Sequence, residues 1–274
     1  MDNPAEVLAV APGIAPRKRG VTFPPPAVET LGWGLLIAQI ITVAVVYFAA
    51  STAPAIPAAL AHFESGAPGE PALNSFTVWL TITVGMAAGL FVAWLWLRRE
   101  GRVGAAWTLR PPLIGWPLTL LWAAAGTGMI FAIFIGVGGL AGELGLGVPD
   151  ASLVLDLVTE SPTMFALWIV GVAWLAAGAG EELLYRGFLM DRLARVSGLR
   201  GKPWLVIFIQ AALFGLPHAY QGWGGVLVTG TVGLFLGWLR WRMNGNLWAC
   251  ILAHAAVDTI VMSAAYGETM GWFG

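Results

Sequence analysis

Apolar runs recur along almost the whole of this chain, and each is long enough to cross a bilayer, which takes about 17 to 25 residues. They lie near 31–51, 75–97, 114–141, 163–184, 204–221, 225–241 and 246–265. In hydrocarbon every backbone polar group must be satisfied internally, so runs of this kind predict membrane-spanning helices. Only 11% of the residues are charged, against roughly a quarter in soluble domains. The fold class expected is therefore all-α: a polytopic transmembrane bundle of about seven spans. The Gly-rich 136–150 region or 219–225 could add an eighth, re-entrant element. The third run is long enough to tilt or break, with Gly136, Gly138 and Gly139 as the expected loosening points.

Charge placement orients the bundle. All 14 Lys and Arg residues lie in the N-terminal tail or in alternate loops. These are Arg17, Lys18 and Arg19, then Arg98 to Arg110, then Arg186 to Lys202, and finally Arg240 and Arg242. The intervening loops carry acids: Glu64 and Glu70, Glu143 to Glu160, and Glu268. By the positive-inside rule the N-terminus is expected in the cytoplasm. Residues 1–29 read as a flexible, Pro-rich cytoplasmic tail. Residues 30–274 read as the transmembrane domain, with a motif-bearing core at 160–265. No basic stretch is dense enough for nucleic acid. The bilayer is the first expected partner, and the Ala- and Gly-rich composition with acid-only outer loops suits a prokaryotic cytoplasmic membrane.

Ionisable side chains at membrane depth are costly and usually face a bundle interior. Two adjacent glutamates sit there, in Gly-Ala-Gly-Glu181-Glu182-Leu-Leu-Tyr-Arg186. Two later runs each carry a histidine, in Phe214-Gly-Leu-Pro-His218 and His254-Ala-Ala-Val-Asp258. Residues four apart share a helix face, so Glu182 meets Arg186, Phe214 meets His218, and His254 meets Asp258. Glu181 points about 100° away from Glu182. The simplest division pairs Glu182 with Arg186 and leaves Glu181 to face the histidines. Antiparallel packing of the fourth and fifth runs would bring Glu181 and His218 to one level. A straight fifth run would then fall short of the outer face, so Pro217, Gly222, Gly224 and Gly225 predict unwinding there.

One free carboxylate, two imidazoles and a further carboxyl suit the activation of water. A histidine that donates a hydrogen bond can hold an oxyanion. The same Glu181, His218 and His254 could instead bind a divalent metal, since two histidines and a carboxylate are a usual catalytic zinc set. Cys250 precedes His254 by four residues, but a buried cysteine is commonly a small hydrophobe. His62 falls in an acidic loop and is read as exposed. Trp33, Trp79, Trp107 and Trp116 fall near span ends, where aromatic belts form.

Glu-Glu-x-x-x-Arg, Phe-x-x-x-His and His-x-x-x-Asp, in this order on successive apolar segments, resemble the CAAX protease and bacteriocin-processing family of intramembrane endopeptidases. The resemblance covers about 160–265 and implies a glutamate-dependent hydrolase; no cofactor is expected, with a divalent metal at Glu181, His218 and His254 left open. It makes Glu181 the base that activates water with His218, and places His254 and Asp258 at the oxyanion. Glu182, Arg186 and Phe214 become structural support. The implied partner is a peptide or protein substrate, a prenylated one included. Asp258 stands where the family carries Asn or Asp, and an ionised carboxylate repels an oxyanion. Two readings from other classes compete: a non-catalytic binding, scaffold or immunity protein using the same polar network, and a proton-coupled transporter. The near absence of charge in the first three runs counts against the transporter.

Overall fold

The structure, a computed structural model, describes residues 30–66 and 68–273; the tail expected at 1–29 lies outside the described residues. Helices α1 (Trp33–Thr52), α2 (Ile56–Ser65), α3 (Ser75–Arg99), α4 (Val103–Ala106), α5 (Trp116–Glu143) and α6 (Ser152–Thr159) follow one another. Next comes one rod made of α7 (Pro162–Leu167), a π-helical stretch (Trp168–Leu189) and α8 (Met190–Arg195). Helix α9 (Pro203–Gly215), a 3-10 turn (Leu216–Gln221), α10 (Gly222–Arg242) and α11 (Trp248–Thr269) complete the chain. No sheet forms among the described residues, where only two isolated β-bridges occur.

Among the described residues six segments are long and apolar enough to cross a membrane, which makes the protein an all-α, multi-pass integral membrane protein. The fifth, Pro203–Arg242, is itself a hairpin. Its arms are the two runs read near 204–221 and 225–241, and it turns at Gly222, whose φ is +81°. Small residues let the arms close: a Cβ on Gly215 would meet the Val226 carbonyl, and one on Gly233 would meet Ala211. The first arm holds only 13 α-helical residues before the 3-10 turn, so the expected unwinding occurs at Pro217 and the Gly222 turn, whereas Gly224 and Gly225, expected to share it, lie within α10. Of the tilt or break expected of the third run, the break is absent. Helix α5 is continuous over 28 residues, because hydrocarbon leaves its backbone no partner outside the helix.

Local sequence sets the ends. The Asn74 side chain accepts from the Thr77 N–H at the start of α3. Ser161 does the same for Met164 ahead of Pro162, where proline is well suited to the first helical position. The π-helical stretch is the centre of the bundle, packed against α3 and α11 and reaching α9 and α10. Outside it, α1 packs on α3, α5 on α11 and α10, and α9 on α10.

Two tryptophans read as membrane-belt residues have a different role. The Trp79 indole donates to the Leu167 carbonyl and the Trp107 indole to that of Leu183, at 2.8 and 2.9 Å. Gly171 and Gly187 leave the room, since a Cβ on either would overlap the indole seated there. Trp33 and Trp116 are exposed, as a belt requires.

An ion-pair cluster fastens the basic end of the bundle. Glu100, just past α3, accepts from Gln39 of α1 at 2.8 Å and from Arg192 and Arg195 of α8. Arg102 pairs with Asp191 beside it. Burial pushes the Glu100 carboxyl up, but the two arginines and Gln39 outweigh it and hold the group below its ordinary range. Arg240, fully buried, donates to the Ala106 carbonyl and so ties α10 to α4.

Candidate active site

The rod brings Glu181, Glu182 and Arg186 to α11, which carries His254 and Asp258. Glu182 is fully buried and its Oε1 accepts two hydrogen bonds of 2.9 Å, from Arg186 Nη1 and from His254 Nδ1. The division expected from spacing is therefore corrected: Glu182 serves the histidine as well as the arginine. The cause is the winding. A π-helix closes i→i+5 and is wider than the α-helix, so consecutive side chains diverge by less than the α-helical 100° step and both carboxylates turn toward α11.

Because a carboxylate can only accept, His254 carries its Nδ1 proton toward Glu182 and turns Nε2 to the other side. There Nε2 lies 4.0 Å from Glu181 Oε2 and 3.9 Å from Asp258 Oδ2. Each separation is one that a bridging water spans. Glu181 and Asp258 keep about a quarter of their side-chain surface accessible, whereas Glu182 has none. The accessible carboxylates thus stand at the site and the inaccessible one stands behind it.

Phe214 unites the second half. Its ring lies under the Arg186 guanidinium at 3.9 Å, and it packs edge-on against Tyr185 at 5.0 Å. The rings of His218 and His254 lie 5.5 and 6.2 Å from it. His218 Nδ1 donates to the Phe214 carbonyl at 3.1 Å, which leaves Nε2 of the neutral ring as an acceptor. Among the described residues His218 makes no hydrogen bond or ion pair with Glu181; the two are related through the Phe214 platform. Glu182, Arg186 and His254 are thus directly bonded, Glu181 and Asp258 stand about 4 Å from the His254 ring, and His218 flanks them.

Three tyrosines given no role in the motif reading are also near Glu181. Tyr47 of α1, Tyr185 and Tyr220 lie within reach of the Glu181 charge, and Tyr220 within reach of Asp258. Tyr185 had a signal, since it follows Glu181 by four residues on one face. Tyr47 had none, because no local spacing connects α1 to the rod. Cys250 is fully buried, with its thiol on the Leu236 carbonyl, and belongs to the core. No group of three or more His, Cys, Asp or Glu side chains is arranged to hold a metal among the described residues.

Three carboxylates and a histidine thus converge inside a multi-pass helical bundle. In the comparison with known families, residues 163–260 match the family model Type II CAAX prenyl endopeptidase Rce1-like. All three motifs lie inside that segment. Neither the curated proteins nor the solved structures include a match to the chain.

Proposed function

We propose that the protein is a glutamate-dependent intramembrane endopeptidase, in which Glu181 activates water without a metal. The observation that carries this reading is the placement of His254. Glu182 fixes one face of the ring, and the other looks between Glu181 Oε2 and Asp258 Oδ2 at 4.0 and 3.9 Å.

Glu181 takes a proton from the water, and the water oxygen bonds to the scissile carbonyl carbon. His218, its Nδ1 held by Phe214, offers Nε2 to the same water. The negative charge moves to the carbonyl oxygen. His254 donates to that oxyanion when Nε2 is protonated, its charge balanced by Glu182. Asp258 acts by orienting His254, because a carboxylate does not stabilise an oxyanion. As the C–N bond breaks, Glu181 passes its proton to the departing nitrogen, leaving an acid and an amine. The substrate is a peptide or protein reaching the site from the cytoplasm or the bilayer, and a prenylated CAAX peptide suits the matched family. A prokaryotic cytoplasmic membrane with the N-terminus inside fits the distribution of basic residues.

The test is cleavage of a farnesylated CAAX peptide by the purified protein in detergent. General acid–base catalysis contributes about 10²- to 10⁴-fold, so Glu181→Gln should lower kcat by that order with its fold intact. Unchanged cleavage in Glu181→Gln overturns the mechanism.

A further inference from the structure

The proposed reaction leaves the oxyanion with a shortage of donors. An oxyanion needs hydrogen-bond donors already in place, and the position following His254 by four residues holds Asp258, an acceptor when ionised. His254 alone, bounded by three carboxylates, is a donor only in its protonated form. We infer that Tyr220 is a further catalytic residue of this site, its phenolic O–H supplying a neutral hydrogen bond to the oxyanion; the inference rests on the endopeptidase reading above.

Four observations converge on Tyr220. It lies two residues beyond His218 in the 3-10 turn Leu216–Gln221, so the unwinding that places the histidine also places the phenol. The two rings stack, 6.1 Å apart and 28° from parallel. The Tyr220 oxygen accepts a 3.0 Å hydrogen bond from Gln221 Nε2. A phenol that is already accepting keeps its one proton to give elsewhere. Finally, Glu181 and Asp258 stand near enough to Tyr220 for both charges to act on its phenol. The residue is exposed, so an entering peptide can touch it.

The chemistry needs no proton transfer. When the water oxygen adds to the carbonyl carbon, the carbonyl oxygen takes the electron pair and the Tyr220 O–H bonds to it. When the intermediate collapses, the C=O re-forms and the hydrogen bond weakens. Gln221 acts through the tyrosine, as a positioning residue.

The plain competitor is a tyrosine at the membrane surface, where amphipathic rings gather. Steady-state cleavage of a farnesylated CAAX peptide by the full chain in detergent decides between them. Loss of one oxyanion donor costs about 10²- to 10³-fold in kcat, so Tyr220→Phe should lower kcat on that order with KM changed less than about twofold. A second reading is the preference for a phosphinate analogue of the peptide over the amide parent, measured as a ratio of Kd values. That ratio should fall in Tyr220→Phe by a similar factor, because only the analogue carries the oxyanion. Unchanged kcat and unchanged preference overturn the inference and leave a surface tyrosine. Glu181→Gln run in parallel separates the two ideas. Cleavage lost in Glu181→Gln but kept in Tyr220→Phe overturns the tyrosine alone. Cleavage kept in Glu181→Gln overturns the glutamate mechanism and the tyrosine's part in it together.

Discussion

Glu182 and His254 stand 72 positions apart in the chain, and a 2.9 Å hydrogen bond from Nδ1 to Oε1 joins them at the centre of the bundle. The same oxygen holds Arg186. One buried carboxylate therefore fixes both an arginine and the ring that faces the site, which divides the labour between two adjacent glutamates.

That division predicts opposite effects on stability and catalysis. Removing one partner of a buried ion pair costs about 3–5 kcal/mol, because the other charge is left uncompensated. Glu182→Ala should destabilise the protein by that order, read as a lower Tm in detergent. Glu181→Gln, at an accessible carboxylate without a buried ion pair of its own, should change stability by less than about 1 kcal/mol. Equal losses in the two variants would contradict the arrangement.

Phe214 is the platform under Arg186 and beside both histidines. Truncating a buried Phe to Ala costs about 3–5 kcal/mol, so Phe214→Ala should lower Tm strongly. Phe214→Leu fills part of the volume but not the flat ring face. It should recover most of the stability and little of the cleavage, a split that thermal denaturation and peptide turnover measure separately.

Glu100 gives a pH signature at the basic end of the bundle. Its folded-state carboxyl titrates below the ordinary value of 4.5. A depressed carboxylate contributes stability that is complete above its unfolded pKa and is lost as pH falls through the folded one. Melting followed from neutral pH downward should therefore show a loss in that acidic window. In Glu100→Gln the protein should be less stable at neutral pH, and this component of the pH dependence should disappear.

Chelation tests the metal-free proposal. His254 commits its Nδ1 to Glu182, which leaves Nε2 as the one nitrogen of that ring a metal could take. Cleavage should survive a strong chelator at full rate. Loss with chelator and recovery with added zinc would move the chemistry to a metal.

Much of this was legible in the sequence because it depends on local spacing and on the solvent. Apolar runs of bilayer length have few options other than the helix, so the all-α bundle followed from them. The i, i+4 pairing of Glu182 with Arg186 and the unwinding at Pro217 and Gly222 followed in the same way. The approach of Glu182 to His254, the seating of Trp79 and Trp107 on Gly171 and Gly187, and the reach of the Glu181 charge to Tyr47 and Tyr220 did not. Each joins segments on different helices, and their meeting depends on helix rotation and depth. The π winding of Trp168–Leu189 changes that rotation by an amount no α-helical spacing contains. By itself the sequence determined which residues must be buried and compensated. Only the tertiary structure decided which partner compensates each, because a desolvated polar group takes the donor or acceptor that packing brings within about 3 Å.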